Sequence, residues 1–229
     1  MNELQHVVRR SALLSRLLTA LVALAFLLLL HGLVRDNLSA ASAAHWPWRP
    51  RLLDTQSATA ALLATGGAAL ARAQYARTVR PALGGQGRVM AGLAPDGRLV
   101  WAAALLNAAQ DVAVITEVSY LVTRSAATED GPPEPVTGWV DSLTARAAVR
   151  ELGPVHHRDF LLTVLARGYP LAPQSTVVLS WFTEQAMSQV AEVYVRVRVE
   201  DRVGDVHERI VRCLKDAERA PSHPSPDPL

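Results

Sequence analysis

The sequence predicts an N-terminal transmembrane helix or helical hairpin, followed by a small, mainly antiparallel β-sandwich or barrel-like domain with one short helix. Three observations carry this. An uncharged leucine-rich run opens the chain, an uncharged alanine-rich run follows it, and a series of short β-branched segments fills the rest.

The first run, Leu17 to Leu30, is LLTALVALAFLLLL; it extends without charge through Val34. A bilayer span needs roughly 20 apolar residues, so 17–34 reads as a transmembrane helix behind a basic flank, 1–16. Arg9, Arg10 and Arg16 in that flank favour a cytoplasmic N-terminus. A cleaved signal peptide is the competing reading, with a small-residue site in Ser39-Ala40-Ala41-Ser42-Ala43-Ala44. The length of the apolar run and the intervening Arg35-Asp36-Asn37 argue against it.

Residues 35–54 form a loop carrying HWPWRP, whose Trp46 and Trp48 suit the headgroup region and whose prolines forbid a continuing helix. Thr55 to Ala71 is again uncharged, and Gly66-Gly67 there is tolerated where small residues let a neighbouring helix approach. We read 55–75 as a second transmembrane or membrane-proximal helix. Charge favours two crossings. A single crossing would put Arg35, Arg49, Arg51, Arg72, Arg77, Arg80 and Arg88 outside against Arg9, Arg10 and Arg16 inside, which inverts the usual bias. Arg72, Arg77 and Arg80 then mark the cytoplasmic stop of the second span. Gly84, Gly85 and Gly87 are expected to bend the chain off the membrane.

From 86 to 216 the texture is that of a β domain. Leu99–Leu106 and Val112–Thr123 read as two antiparallel strands. Residues 124–138 are a loop, and Asp141 or Ser142 caps a helix running to Leu152 before Gly153-Pro154. Asp159–Ala166 and Thr176–Phe182 are strand candidates. Val193, Val195, Val197 and Val199 alternate with Tyr194, Arg196, Arg198 and Glu200, the period of a half-buried strand; Val206–Leu214 returns beside it. Trp101, Trp139 and Trp181 are core or interface aromatics. The tail, 217–229, is proline-rich and is expected to be disordered.

Net charge is +2, so no strong field points to nucleic acid. Lys215 is the only lysine among 23 basic residues, which together with abundant alanine points to a GC-rich bacterial genome. A single cysteine, Cys213, excludes an internal disulfide and reads as a small buried hydrophobe. No cofactor signature is present: GGQGR at 84–88 lacks the Lys-Ser/Thr of a phosphate loop, and Ser180 lacks a nucleophile elbow. The metal candidates are His156, His157 and His207, with Asp205 and Glu208 as further donors. Adjacent histidines on a strand face opposite ways, so His156 and His157 would not share an ion.

The role this leaves is a membrane-anchored, non-enzymatic interaction protein whose partners are the bilayer and another protein or a second copy. Its β domain is expected in the cytoplasm, with an extracytoplasmic placement as the alternative. A metal-dependent sensor or enzyme built on the His, Asp and Glu groups is the second reading.

Overall fold

The computed structural model describes residues 4–39, 53–124 and 134–225. Trp46, Trp48, the acidic part of the 124–138 loop and the last four residues lie outside them. The chain divides into two compact units, residues 11–78 and residues 1–10 with 79–229.

The first unit is a helical hairpin. Helix α1 spans Ala12–Asp36 and helix α2 spans Thr55–Thr78, each about 36–38 Å long at 1.5 Å per residue. They pack on one another. Thr55 at the start of α2 donates from Oγ1 to Asp36 Oδ2 at the end of α1 (2.7 Å), so the helices run antiparallel. Asp54 caps α2 by accepting from the Ser57 N–H at 2.7 Å. Ala25 and Ala58 are buried. Around the rest of α1 the large apolar side chains are bare: Leu13 is 84% exposed, Leu17 58% and Leu27 59%. Among the described residues, α1 alone is long and apolar enough to cross a membrane. Gly66 and Gly67 do not mediate close approach: a Cβ at either meets nothing within 4 Å.

The second unit contains two antiparallel sheets that share a main core, with a smaller buried cluster of Ala94, Val100, Ala102 and Trp181 besides it. Its strands are β1 (His6–Arg9), β2 (Leu83–Met90), β3 (Val100–Asn107), β4 (Ala113–Arg124), β5 (Glu134–Pro135), β6 (Phe160–Leu162), β7 (Pro170–Leu171), β8 (Ser175–Phe182), β9 (Val190–Glu200) and β10 (Val206–Arg212). One sheet runs β1-β10-β9-β4-β5, with β7 also on β4; the other runs β2-β3-β8-β6.

The valine alternation does what its period requires. Val193, Val195, Val197 and Val199 are all fully buried, facing Ile115, Tyr120 and Val122 of β4 within the same core. Burying each such side chain contributes on the order of 1.5–3 kcal/mol. The second sheet supplies Leu105, Leu179 and Phe182. Helix α3 (Ser142–Glu151) begins where Asp141 accepts from the Leu143 and Thr144 N–H groups at 2.8 and 2.9 Å, and it buries Ala145, Ala148 and Val149.

Five expectations are corrected. Among its described residues the β unit holds two helices, because Thr183 caps a further short one, α4 (Glu184–Gln189). Val100–Asn107 and Ala113–Arg124 do not pair. They belong to different sheets, because Asn107 Nδ2 donates to the carbonyls of Asp111, Leu171 and Ala172 and fixes the crossing between them. The glycines after Pro81 do not bend the chain; they lie in β2, where Gly85 makes room for Val211 and a Cβ at Gly87 would fall inside the Trp101 indole. The basic flank contains β1, paired with β10 through His6·Glu208 and Val7·His207. The tail is anchored as far as Ser225: Arg219 donates to the carbonyls of Met187, Val190 and Ala191, and Ser225 N–H to Val89 C=O at 2.9 Å.

Candidate functional site

The histidines separate into two unrelated groups. His156 forms an isolated β-bridge with Phe160 and His157 opens the turn that follows, so neither lies within a named strand. His157 has φ 65°, which swings its ring against His156 with centroids 4.0 Å apart. Burial holds the His156 imidazole below its ordinary pKa, and His157, Arg146 and Arg150 nearby add to this. Beside them Asp159 is fully buried. Burial alone would raise its carboxyl, but the Val155 N–H and the guanidinium groups of Arg98 and Arg158 together hold it below the usual carboxylate range.

His207 belongs to the β9–β10 hairpin. Its Nε2 lies 2.9 Å from Asp201 Oδ2, with both side chains almost wholly buried. The other oxygen, Asp201 Oδ1, accepts from the Val203 and Asp205 N–H groups at 3.0 and 2.9 Å. This arrangement locks a turn. Glu208, next in β10, faces the opposite way and binds Arg198 Nε at 2.7 Å. No three His, Cys, Asp or Glu residues come within reach of one ion among the described residues. Ser180 is buried in β8, and burial pushes the Cys213 thiol up to about 12.

Two features remain that could meet a partner. The outer face of the β1-β10-β9-β4 sheet carries a ladder of charge. His6 Nε2 lies 3.5 Å from Glu208, Arg198 bridges Glu208 and Glu117 at 2.7 and 2.6 Å, and Arg196 reaches Glu117 at 3.2 Å. Trp139 lies under the Arg196 guanidinium, 4.7 Å from ring centroid to carbon. These groups satisfy one another, so the face is self-paired.

The second feature is a cleft of about 230 Å³ between the edge of β2 and the inner side of β10. Gly85, Gly87 and Trp101 form one wall; Arg209, Arg212 and Lys215 supply positive charge against the single acid Asp216. Arg209 pairs in register with Val197, in the inward row of β10, and its Nε is buried with no hydrogen-bond partner among the described residues. Arg212 is held by Glu192 Oε2 at 3.1 Å. Burial pushes the Glu192 carboxyl up, although the Leu214 N–H, Arg212 and the Val193 N–H each pull it down.

Of the predicted membrane-flanking residues, Arg9 ends β1, Arg10 follows it, and Arg16 lies in α1. Arg72 and Arg77 lie in α2 and Arg80 just past it. The cleft and the Asp201–His207 pair carried no sequence signal of their own. Arg209 interrupts an otherwise strand-like run, the one hint available. No model of a known protein family matches the chain, and no curated protein matches it.

Proposed function

We propose that the protein is a membrane-anchored, non-enzymatic interaction protein, held by a two-span helical hairpin and presenting its β unit to the cytoplasm. The observation that carries the anchoring is the pairing of β1 with β10. Residues before α1 and residues after α2 belong to one sheet, so the excursion through 11–78 leaves and re-enters the same folded body. If α1 crosses a bilayer, α2 must cross back. The exposed leucines around α1 need a non-aqueous surrounding, since a helix apolar on all sides is stable only when buried or in lipid.

Two further facts support the reading. A cleaved leader would carry off Gln5 and β1, and Gln5 accepts from the Leu83 N–H at 2.8 Å and donates to Pro81 C=O at 2.6 Å. Arg9, Arg10, Arg16, Arg72, Arg77 and Arg80 then flank the membrane on one side, as the positive-inside bias favours.

Fusions after Leu229 test the topology. Fluorescence from a cytoplasm-only fluorescent protein, with no activity from a periplasm-only phosphatase, is the expected pair of results; the reverse pair overturns it. Cross-linking and pull-down from detergent extract test the role, which falls if neither a protein partner nor a second copy is recovered.

A further inference from the structure

The segment between α3 and β6 gathers basic groups with no acid to meet them. Arg146 and Arg150 lie four apart in α3 and so share one face of that helix. Gly153, at φ 117°, ends the helix and turns the chain back. The returning segment brings His156 within electrostatic reach of both arginines and of His157. Among the described residues, Arg146 donates from Nη2 to the Leu162 C=O at 2.6 Å, and Arg150 makes neither a hydrogen bond nor an ion pair. Asp159, the carboxylate of this segment, is already engaged by the Val155 N–H, Arg98 and Arg158.

Three features set this cluster apart from an ordinary charged surface. His157 holds φ 65°, uncommon for a residue other than glycine, and its N–H is tied to the Phe160 C=O at 2.9 Å. That backbone brings the two imidazoles to 4.0 Å between centroids, while Phe160 meets the His156 ring edge-on at 5.2 Å. Arg146 Nε and His156 Nε2 are both buried without a hydrogen-bond partner, and buried polar atoms call for one. The dipole at the end of α3 accounts for Arg150; it accounts neither for the buried guanidinium nitrogen of Arg146 nor for the backbone of His157.

The charge of the cluster selects its ligand. Arg146 and Arg150 carry permanent positive charge, which repels a metal cation, and both histidines can add to it by taking up protons. A carboxylate neutralises one guanidinium. A phosphate group carries about −1.5 to −2 near neutral pH and presents several acceptor oxygens that suit guanidinium forks and imidazole donors.

We propose that Arg146, Arg150, His156 and His157 form a binding site for a phosphate-class dianion, with half-buried Arg146 and His156 as its floor and exposed Arg150 and His157 as its rim. The site is independent of the anchoring role.

The test is histidine ring NMR on the full chain in phosphatidylcholine nanodiscs, titrated with inorganic phosphate and, separately, with chloride at matched ionic strength. Phosphate should move the His156 and His157 ring signals together, saturably, and leave His207, buried against Asp201, in place. Arg150→Gln should weaken phosphate binding about tenfold or more, equivalent to about 1.4 kcal/mol. His157→Gly frees the left-handed backbone, so it should melt no lower than the parent chain and also bind more weakly. Nanodiscs containing phosphatidate separate the two sources of the group: shifts without added phosphate that free phosphate competes away assign a lipid headgroup, and shifts with free phosphate alone assign a soluble ligand. The proposal is overturned if neither source moves the rings, if chloride moves them equally, or if Arg150→Gln binds phosphate as the parent chain does.

Discussion

Asp201 uses both carboxylate oxygens inside one hairpin, one on two backbone N–H groups and one on His207. Removing it leaves His207 buried without its partner and two amides unmet. Leaving a buried polar group unmet costs about 1–3 kcal/mol, so Asp201→Ala should lower unfolding free energy by at least about that much in denaturant titration; a change under 1 kcal/mol would contradict the assignment. Cys213 should resist maleimide in the native state and label at once on unfolding, because burial lifts its thiol to about 12. Asp159 carries a pH dependence. Its folded carboxyl titrates below its unfolded value, so the stability it contributes is complete above the ordinary carboxylate range and is lost as pH falls through the lowered value. Asp159→Asn should flatten that acid limb, as followed by thermal melts from neutral to acid pH. These residues were poorly legible in the sequence. Asp201 reads as a turn residue and His207 as a loose metal donor until the hairpin brings them together, and the link from Val89 to Ser225 spans 136 positions.

At the scale of elements, the sequence was most informative where one face is wet. The strands at Val190–Glu200, Ala113–Arg124 and Ser175–Phe182 and the Asp141-capped helix lie within a few residues of their expected places, since period and capping are local signals. It failed where tertiary context overrode them. His6–Arg9 is too short and too basic to show a period, and β2 hides behind three glycines. Those glycines answer to packing: at Gly87 the indole of Trp101 occupies the space a side chain would need, with its N–H donating to Cys213 C=O at 2.9 Å. Gly87→Ala should therefore cost about 1–3 kcal/mol by overpacking, readable in denaturant midpoint and in near-ultraviolet tryptophan dichroism. The expected Asp159–Ala166 strand shrinks to three residues, Phe160–Leu162.

For the molecule as a whole, the insertion of a helical hairpin into a β unit means that the two can be separated. The ends left by removing 11–78 are close, because Gln5 bonds Pro81 directly. Replacing 11–78 with a short Gly-Ser linker should yield a β unit that elutes as a monodisperse species without detergent and keeps hydrogen-exchange protection at 206–212. Aggregation of that protein would show that the hairpin contributes to the sheet core.

The pairing of His6–Arg9 with Val206–Arg212 also sets an order of events during synthesis. The first strand leaves the ribosome about 200 residues before its partner. At about 5–20 residues per second that is a wait of about 10–40 s. Throughout it, the hairpin is made and β2 to β9 can assemble, while the N-terminal strand has no neighbour. The six-stranded sheet is thus completed by joining strands made about 200 residues apart, and a nascent chain halted before residue 206 retains an unpaired first strand beside its helices in sequence.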